Sequence, residues 1–305
     1  MLTGRDDPNF YCQDIKDIAL TYEDIYNHGP LCKVLRRSSL LNSFALNDWK
    51  TRINSYDLVF AIDSNISLTT LEWICRHRGN SKVILYFRNK LSHSNFKGKA
   101  DELKQLPLEI WSYNIHDCEK YGFRYNSQVI NRELFDLQTD GEPKYSACFV
   151  GSNKGRDETL SHIQELLQRS SSFGTYFYMP GDTKHEWNRC TTGAFLPYAE
   201  YLKIASESLS IIDLVSSENK GLTFRPLEAL FLGKKLITNY EEIIRYDFYR
   251  PQNIFILGKD SERDLSDFLS STCIPVEKSI IDSYTTDFWI RRFIGSETDS
   301  SSTAE

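Results

Sequence analysis

The chain lacks paired cysteines. Its seven cysteines, at 12, 32, 75, 118, 148, 190 and 273, include no CxxC and total an odd number. That excludes a disulfide framework or a cysteine zinc site and fits reduced thiols. The six histidines show neither HxH nor HxxxH spacing, and acidic pairs such as Asp6-Asp7 fall outside any strand–loop context, so no metal site is expected. No run approaches the ~18 apolar residues of a membrane span. The opening MLTGRDDPNF has neither the basic start nor the apolar stretch of a signal peptide, so a cytoplasmic protein is expected. There is no basic excess either. Net charge is -6, and the first half is nearly neutral, which argues against nucleic acid as a partner. Neither a P-loop nor a GxGxxG fingerprint occurs, and no internal repeat.

What is present is a rhythm of alternating strands and helices. Tyr56–Ile62, Lys82–Phe87, Glu109–Tyr113 and Gln128–Ile130 read as strands, with helices at Leu68–His77 and His116–Tyr121. A polar linker follows at Asp136–Lys144, and the pattern then restarts. Ser146–Val150, Thr175–Tyr178, Leu209–Asp213, Lys235–Thr238 and Asn253–Leu257 are strands, separated by helices at Asp157–Gln168, Pro197–Glu207 and Leu227–Leu232. Two α/β units, each of domain size at 305 residues in total, make a double-Rossmann plan. The expected division is 1–140, 145–280, a crossing helix at 281–295 anchored by Trp289, and a disordered polar tail at 296–305. Residues 1–50 are poor in strand pattern, so the first strand is expected to be missing, displaced or unusual.

Two clusters carry chemistry. In Ser217–Asn239, a turn at Gly221-Leu222 leads into Thr223-Phe224-Arg225-Pro226 and then an apolar helix closed by Gly233. Arg225 and Glu228 are three apart and share one side of the first turn. A fixed guanidinium beside a helix N-terminus suits a diphosphate, and Glu228 can accept from a ribose diol. An ion pair within the helix is the alternative. The second cluster, Phe149-Val-Gly-Ser-Asn-Lys-Gly-Arg156, offers Gly151 for close backbone approach and Lys154 and Arg156 for charge. Both clusters follow strands of one parallel sheet, so they converge on one crevice. Asp63, at the end of the first unit's Tyr56–Ile62 strand, is the candidate general base, with turn capping as the alternative. Asp213 reads as a cap at a strand end and His185 as a surface histidine.

FVGSNKGR, YAEYLKIASESLSIIDL, GLTFRPLEALFLGKKLITN and YDFYRPQNIFIL, together spanning much of 145–295, resemble GT-B glycosyltransferases of bacterial lipopolysaccharide and capsule biosynthesis. DCEKYGFRY at 117–125 resembles the end of such a protein's first domain. The resemblance implies two Rossmann-like domains facing a cleft, with a nucleotide-sugar donor held by the second. It implies a glycan or lipid-linked glycan acceptor, no cofactor beyond the donor, and contact with the cytoplasmic face of the inner membrane. Retaining members carry a glutamate where this chain has Lys220, which leaves retention or inversion open. A sugar-nucleotide epimerase of the same architecture and an inactive partner subunit are the competing expectations.

Overall fold

The computed structural model describes residues 2–3, 15, 17–38, 40–131, 142–182, 184–190, 193–215 and 221–295. The tail at 296–305, most of the 136–144 linker, most of the Met1–Phe10 segment and Lys220 lie outside the described residues. The chain divides into two compact units, residues 1–128 with 286–305, and residues 129–285. The expectation of two Rossmann-like α/β units holds, because each carries a wholly parallel sheet.

In the first unit the sheet runs β2-β1-β3-β4-β5-β6. Its strands are β1 (Leu2–Thr3), β2 (Glu23–Asp24), β3 (Leu58–Ile62), β4 (Lys82–Phe87), β5 (Glu109–Ser112) and β6 (Arg124–Tyr125). The first strand is thus present but only two residues long, between β2 and β3. Gln128–Ile130 is no ladder strand. Ile130 makes an isolated parallel bridge to Thr285, and Arg124–Tyr125 takes the edge of the sheet instead. The helices are α1 (Cys32–Leu35), α2 (Asn42–Ala45), α3 (Leu68–His77), α4 (Ala100–Lys104) and α5 (Ile115–Tyr121). Gly122 closes α5 in the left-handed region at φ 70°, its amide bonded to Cys118 O.

In the second unit the order is β11-β10-β9-β7-β8, for β7 (Tyr145–Val150), β8 (Gly174–Tyr178), β9 (Ser208–Asp213), β10 (Lys235–Thr238) and β11 (Ile254–Ile256). The helices are α6 (Asp157–Ser170), α7 (Tyr198–Ser206), α8 (Phe224–Phe231), α9 (Leu265–Ser270) and α10 (Lys278–Ser283). Alternate residues of these strands enter two cores. Cys148, Ile211, Leu236 and Ile256 face one, while Phe149, Ile212, Ile237 and Phe255 face the other. Burial on both faces is why these strands read as unbroken apolar runs.

The last helix, α11 (Thr286–Ile294), returns to the first unit. One face of that sheet is filled by Val59, Ala61, Val83, Leu85 and Ile110. The other presents Phe60, Tyr86 and Trp111, and α11 covers it. Trp289 lies 5.5 Å from Phe60 and 4.9 Å from Tyr86 between ring centroids, and Phe293 lies 4.9 Å from Trp111. Trp289 Nε1 also donates to Ser127 O at 2.7 Å.

Candidate functional site

In the second sheet β7 sits between β8 and β9, so the connections leaving β7 and β9 diverge to opposite sides. Outside the carboxyl ends of those two strands lies the switch-point crevice of an open α/β sheet. β7 ends at Val150 and β9 at Asp213. Arg225 reaches this point from the first turn of α8. Its Nη2 donates to Val150 O at 2.5 Å, Nη1 lies 3.7 Å from Asp213 Oδ1, and its guanidinium stands 5.2 Å from the Phe149 ring centroid. The side chain keeps 20% of its surface exposed.

Gly151 is needed beside it. A Cβ there would come within 2.9 Å of Arg225 Nη2 and 3.4 Å of the Phe149 ring. Asn153 shapes the rest of that loop: its Oδ1 accepts from the Gly155 and Arg156 amides, both at 3.1 Å. Lys154 is exposed and adopts φ 46°, an unusual conformation for a residue with a side chain. Arg156 stands 5.9 Å from the same Phe149 ring, so two guanidiniums share one aromatic neighbour. Burial, then the Arg225 charge, hold the Arg156 guanidinium below its ordinary value. Asp157 and Glu158 open α6, and their charges compete with an anion there, which makes the α8 end the stronger anion site.

Asp213 is the residue the sequence pattern undervalues. It is fully buried, accepts from Thr223 Oγ1 at 3.0 Å through Oδ1, and has Oδ2 with no hydrogen-bond partner among the described residues. Burial pushes its carboxyl up, against the pull of Arg225. Thr223 therefore spends its hydroxyl on Asp213 and gives α8 no side-chain cap. A strand ending in Asp, followed within a dozen residues by a Thr-x-Arg helix start, is the signal that would have found this trio.

Glu228 is only 2% exposed. Tyr198 OH donates to its Oε1 at 3.0 Å, and Tyr201 OH donates to Oε2 in a very short bond. Arg225 and Glu228 thus point to different partners, Arg225 to β7 and β9, Glu228 to α7. Burial raises the Glu228 carboxyl, opposed by the Tyr201 hydrogen bond. The two tyrosines, at i and i+3 on α7, share a face, a spacing visible in the sequence but meaningless until α8 packs beside it. Gly221 and Leu222 are buried just before this helix.

On the loop after β8, His185 Nδ1 lies 2.8 Å from Asp182 Oδ2, and its ring stacks on Trp187 at 4.8 Å. Trp187 in turn donates to Ser161 Oγ at 3.1 Å, fixing the loop on α6.

In the first unit Asp63 is fully buried at the end of β3. Its Oδ1 accepts from the Arg88 amide at 2.8 Å and its Oδ2 from Asn89 Nδ2 at 3.4 Å, bonds that tie β3 to the loop after β4. Burial raises its carboxyl, against the Arg88 amide bond. A cavity of about 670 Å³ also lies in this unit, among Leu58, Lys82, Trp289 and Phe293. It opens at the amino ends of β3 and β4, the opposite end from a switch-point crevice. No group of three or more His, Cys, Asp or Glu side chains that could hold a metal ion occurs among the described residues. No helix among them is long and apolar enough to cross a membrane.

No family model and no curated protein matches the chain. Among solved structures it is similar to sucrose-phosphate synthase from Thermosynechococcus elongatus, at 11% identity and a TM-score of 0.48, over 94% of this chain and 79% of that one. It is also similar to an alpha1,3-fucosyltransferase, at 12% identity and a TM-score of 0.37, over 79% of each chain. What the second unit can do follows from its own side chains.

Proposed function

We propose that the chain is a glycosyltransferase that moves a sugar from a nucleotide-sugar donor to a glycan acceptor. The observation that carries this reading is the pair of guanidiniums, Arg225 and Arg156, gathered on Phe149 at the carboxyl ends of β7 and β9. Their one close carboxylate, Asp213, is itself buried with its charge disfavoured. Such a site has cationic capacity to spare, and a diphosphate is the ligand that uses it.

In this reading Arg225 binds the diphosphate and stabilises the charge that develops on it as the glycosidic bond breaks. Arg156 and Lys154 add charge from the other loop, and Gly151 lets the phosphate approach the backbone. Gly221, Leu222 and Thr223 set the entry to α8, with Thr223 holding Asp213 in register. Glu228 recognises the ribose by exchanging the hydroxyl of Tyr198, the more exposed of its two donors, for a ribose hydroxyl. Asp63 serves as base once its Oδ2 leaves Asn89, the longer of its two bonds. Arginine and helix-dipole charge at the diphosphate replace a metal ion. The acceptor is a bacterial surface glycan of the lipopolysaccharide, O-antigen or capsule class.

A panel of nucleoside diphosphates and their sugar conjugates tests this. One nucleotide should raise the melting temperature, since ligand at about 100 times its dissociation constant adds ~2.7 kcal/mol. The matching nucleotide-sugar should be hydrolysed slowly or transferred to acceptor. A panel that leaves the melting temperature unmoved would rule the reading out.

A further inference from the structure

Residues 25–47 contain no Asp or Glu, although the chain as a whole is at -6. Within that stretch stand Lys33, Arg36 and Arg37, with Lys33 and Arg37 exposed. The same stretch carries five exposed large apolar side chains. Leu40 is 87% exposed, Leu31, Val34 and Phe44 about two-thirds, and Leu41 nearly half. Single exposed leucines are ordinary, but five within fourteen residues, interleaved with cations, form a patch.

The patch is not a core face turned outward by a loose fold. The inward positions of the same segment are already filled: Cys32, Asn42, Ala45 and Leu46 are buried. The backbone between is pinned. Asn42 Nδ2 and Thr69 Oγ1 both donate to Arg36 O, at 3.0 and 2.7 Å. Asn27 Nδ2 donates to Phe44 O at 2.7 Å, and Lys50 Nζ to Ser43 O at 2.7 Å. Rotating the outer side chains inward would displace buried residues and break these bonds. The apolar groups are therefore held outward on a fixed platform.

We infer that this face, α1, α2 and the turn joining them, docks on an anionic lipid surface. Leucine, valine and phenylalanine enter the acyl boundary of a bilayer, while lysine and arginine beside them meet negative headgroups and no acid repels them. The charge balance decides the occupant: an acid-free apolar patch on an acidic protein is complementary to negatively charged lipid, whereas a second copy of the same patch would repel it. This inference rests on the first unit alone and is independent of the donor-site reading.

Co-sedimentation of the full chain with vesicles tests it. Partition onto phosphatidylglycerol–phosphatidylcholine vesicles should exceed partition onto pure phosphatidylcholine by about tenfold or more, and fall as salt rises. Leu40→Ser with Phe44→Ser should weaken it by about tenfold or more, and Lys33→Glu with Arg37→Glu likewise. Both doubles alter only exposed side chains, so their melting temperatures should match the wild type. Absence of binding to anionic vesicles would overturn the inference, as would equal binding by wild type and both doubles. Self-association that the Leu40→Ser/Phe44→Ser double abolishes, without vesicle binding, would make the patch a protein interface and overturn it as well.

Discussion

At Gly151 the missing methyl group sets the position of a guanidinium. Alanine there would bring Cβ to 2.9 Å from Arg225 Nη2, and the flexible end of the arginine would yield before the backbone does. Gly151→Ala should therefore cost about 1 kcal/mol or less in stability yet weaken nucleotide binding about tenfold. Thermal melts and titration calorimetry on one sample separate the two effects, and unchanged affinity would mean that Arg225 does not touch the ligand. Glu228 makes a different prediction, because its carboxyl is raised by burial from an ordinary value of 4.5. Above that value the unfolded chain releases this proton while the folded chain keeps it, so stability falls as pH rises through the raised range. Glu228→Gln cannot titrate. Its melting temperature relative to wild type should improve steadily from about pH 4.5 to 7, the slope from Asp213 cancelling because both proteins carry it. A difference independent of pH would show that Glu228 is ionised throughout. The partners of Glu228 were not legible in the sequence, since Tyr198 and Tyr201 lie a whole strand and loop away. Arg225 was legible, because its glycine-rich entry and helix start are contiguous.

At the scale of elements, β3, β4, β7, β9, β10 and the helices between them were readable from apolar runs and their breaks. The failures are instructive. β1 has two residues and β2 two, too short for any period to register. Gln128–Ile130 has strand composition, but its only bridge is one residue to Thr285, since Arg124–Tyr125 already closes the sheet. Nor could periodicity show that the first sheet borrows its second cover from the other end of the chain. Phe60, Tyr86 and Trp111 are covered by α11, with Trp289 fully buried at the centre. Trp289→Ala should therefore lower stability by about 3–5 kcal/mol, with loss of amide protection in β3 to β5. Urea denaturation with hydrogen exchange checks this, and near-wild-type stability would mean that α11 is an appendage.

For the whole molecule, the account rests on the second unit holding a diphosphate by arginine charge. Turnover should then survive EDTA, and complete loss reversed by manganese would contradict the proposed chemistry. The most direct measurement is calorimetric titration of wild type and Arg225→Lys with the nucleoside diphosphate that stabilises the protein. Lysine is the sharper probe than alanine, because Arg225→Ala would also strip the buried Asp213 of its cation and cost stability for a reason unrelated to ligand. Lysine keeps the charge and loses the two-pronged donor set. The account predicts saturable binding to wild type, weakened by about tenfold in Arg225→Lys at matched melting temperature. Equal affinity in the two proteins, or no nucleotide binding to either, would contradict it.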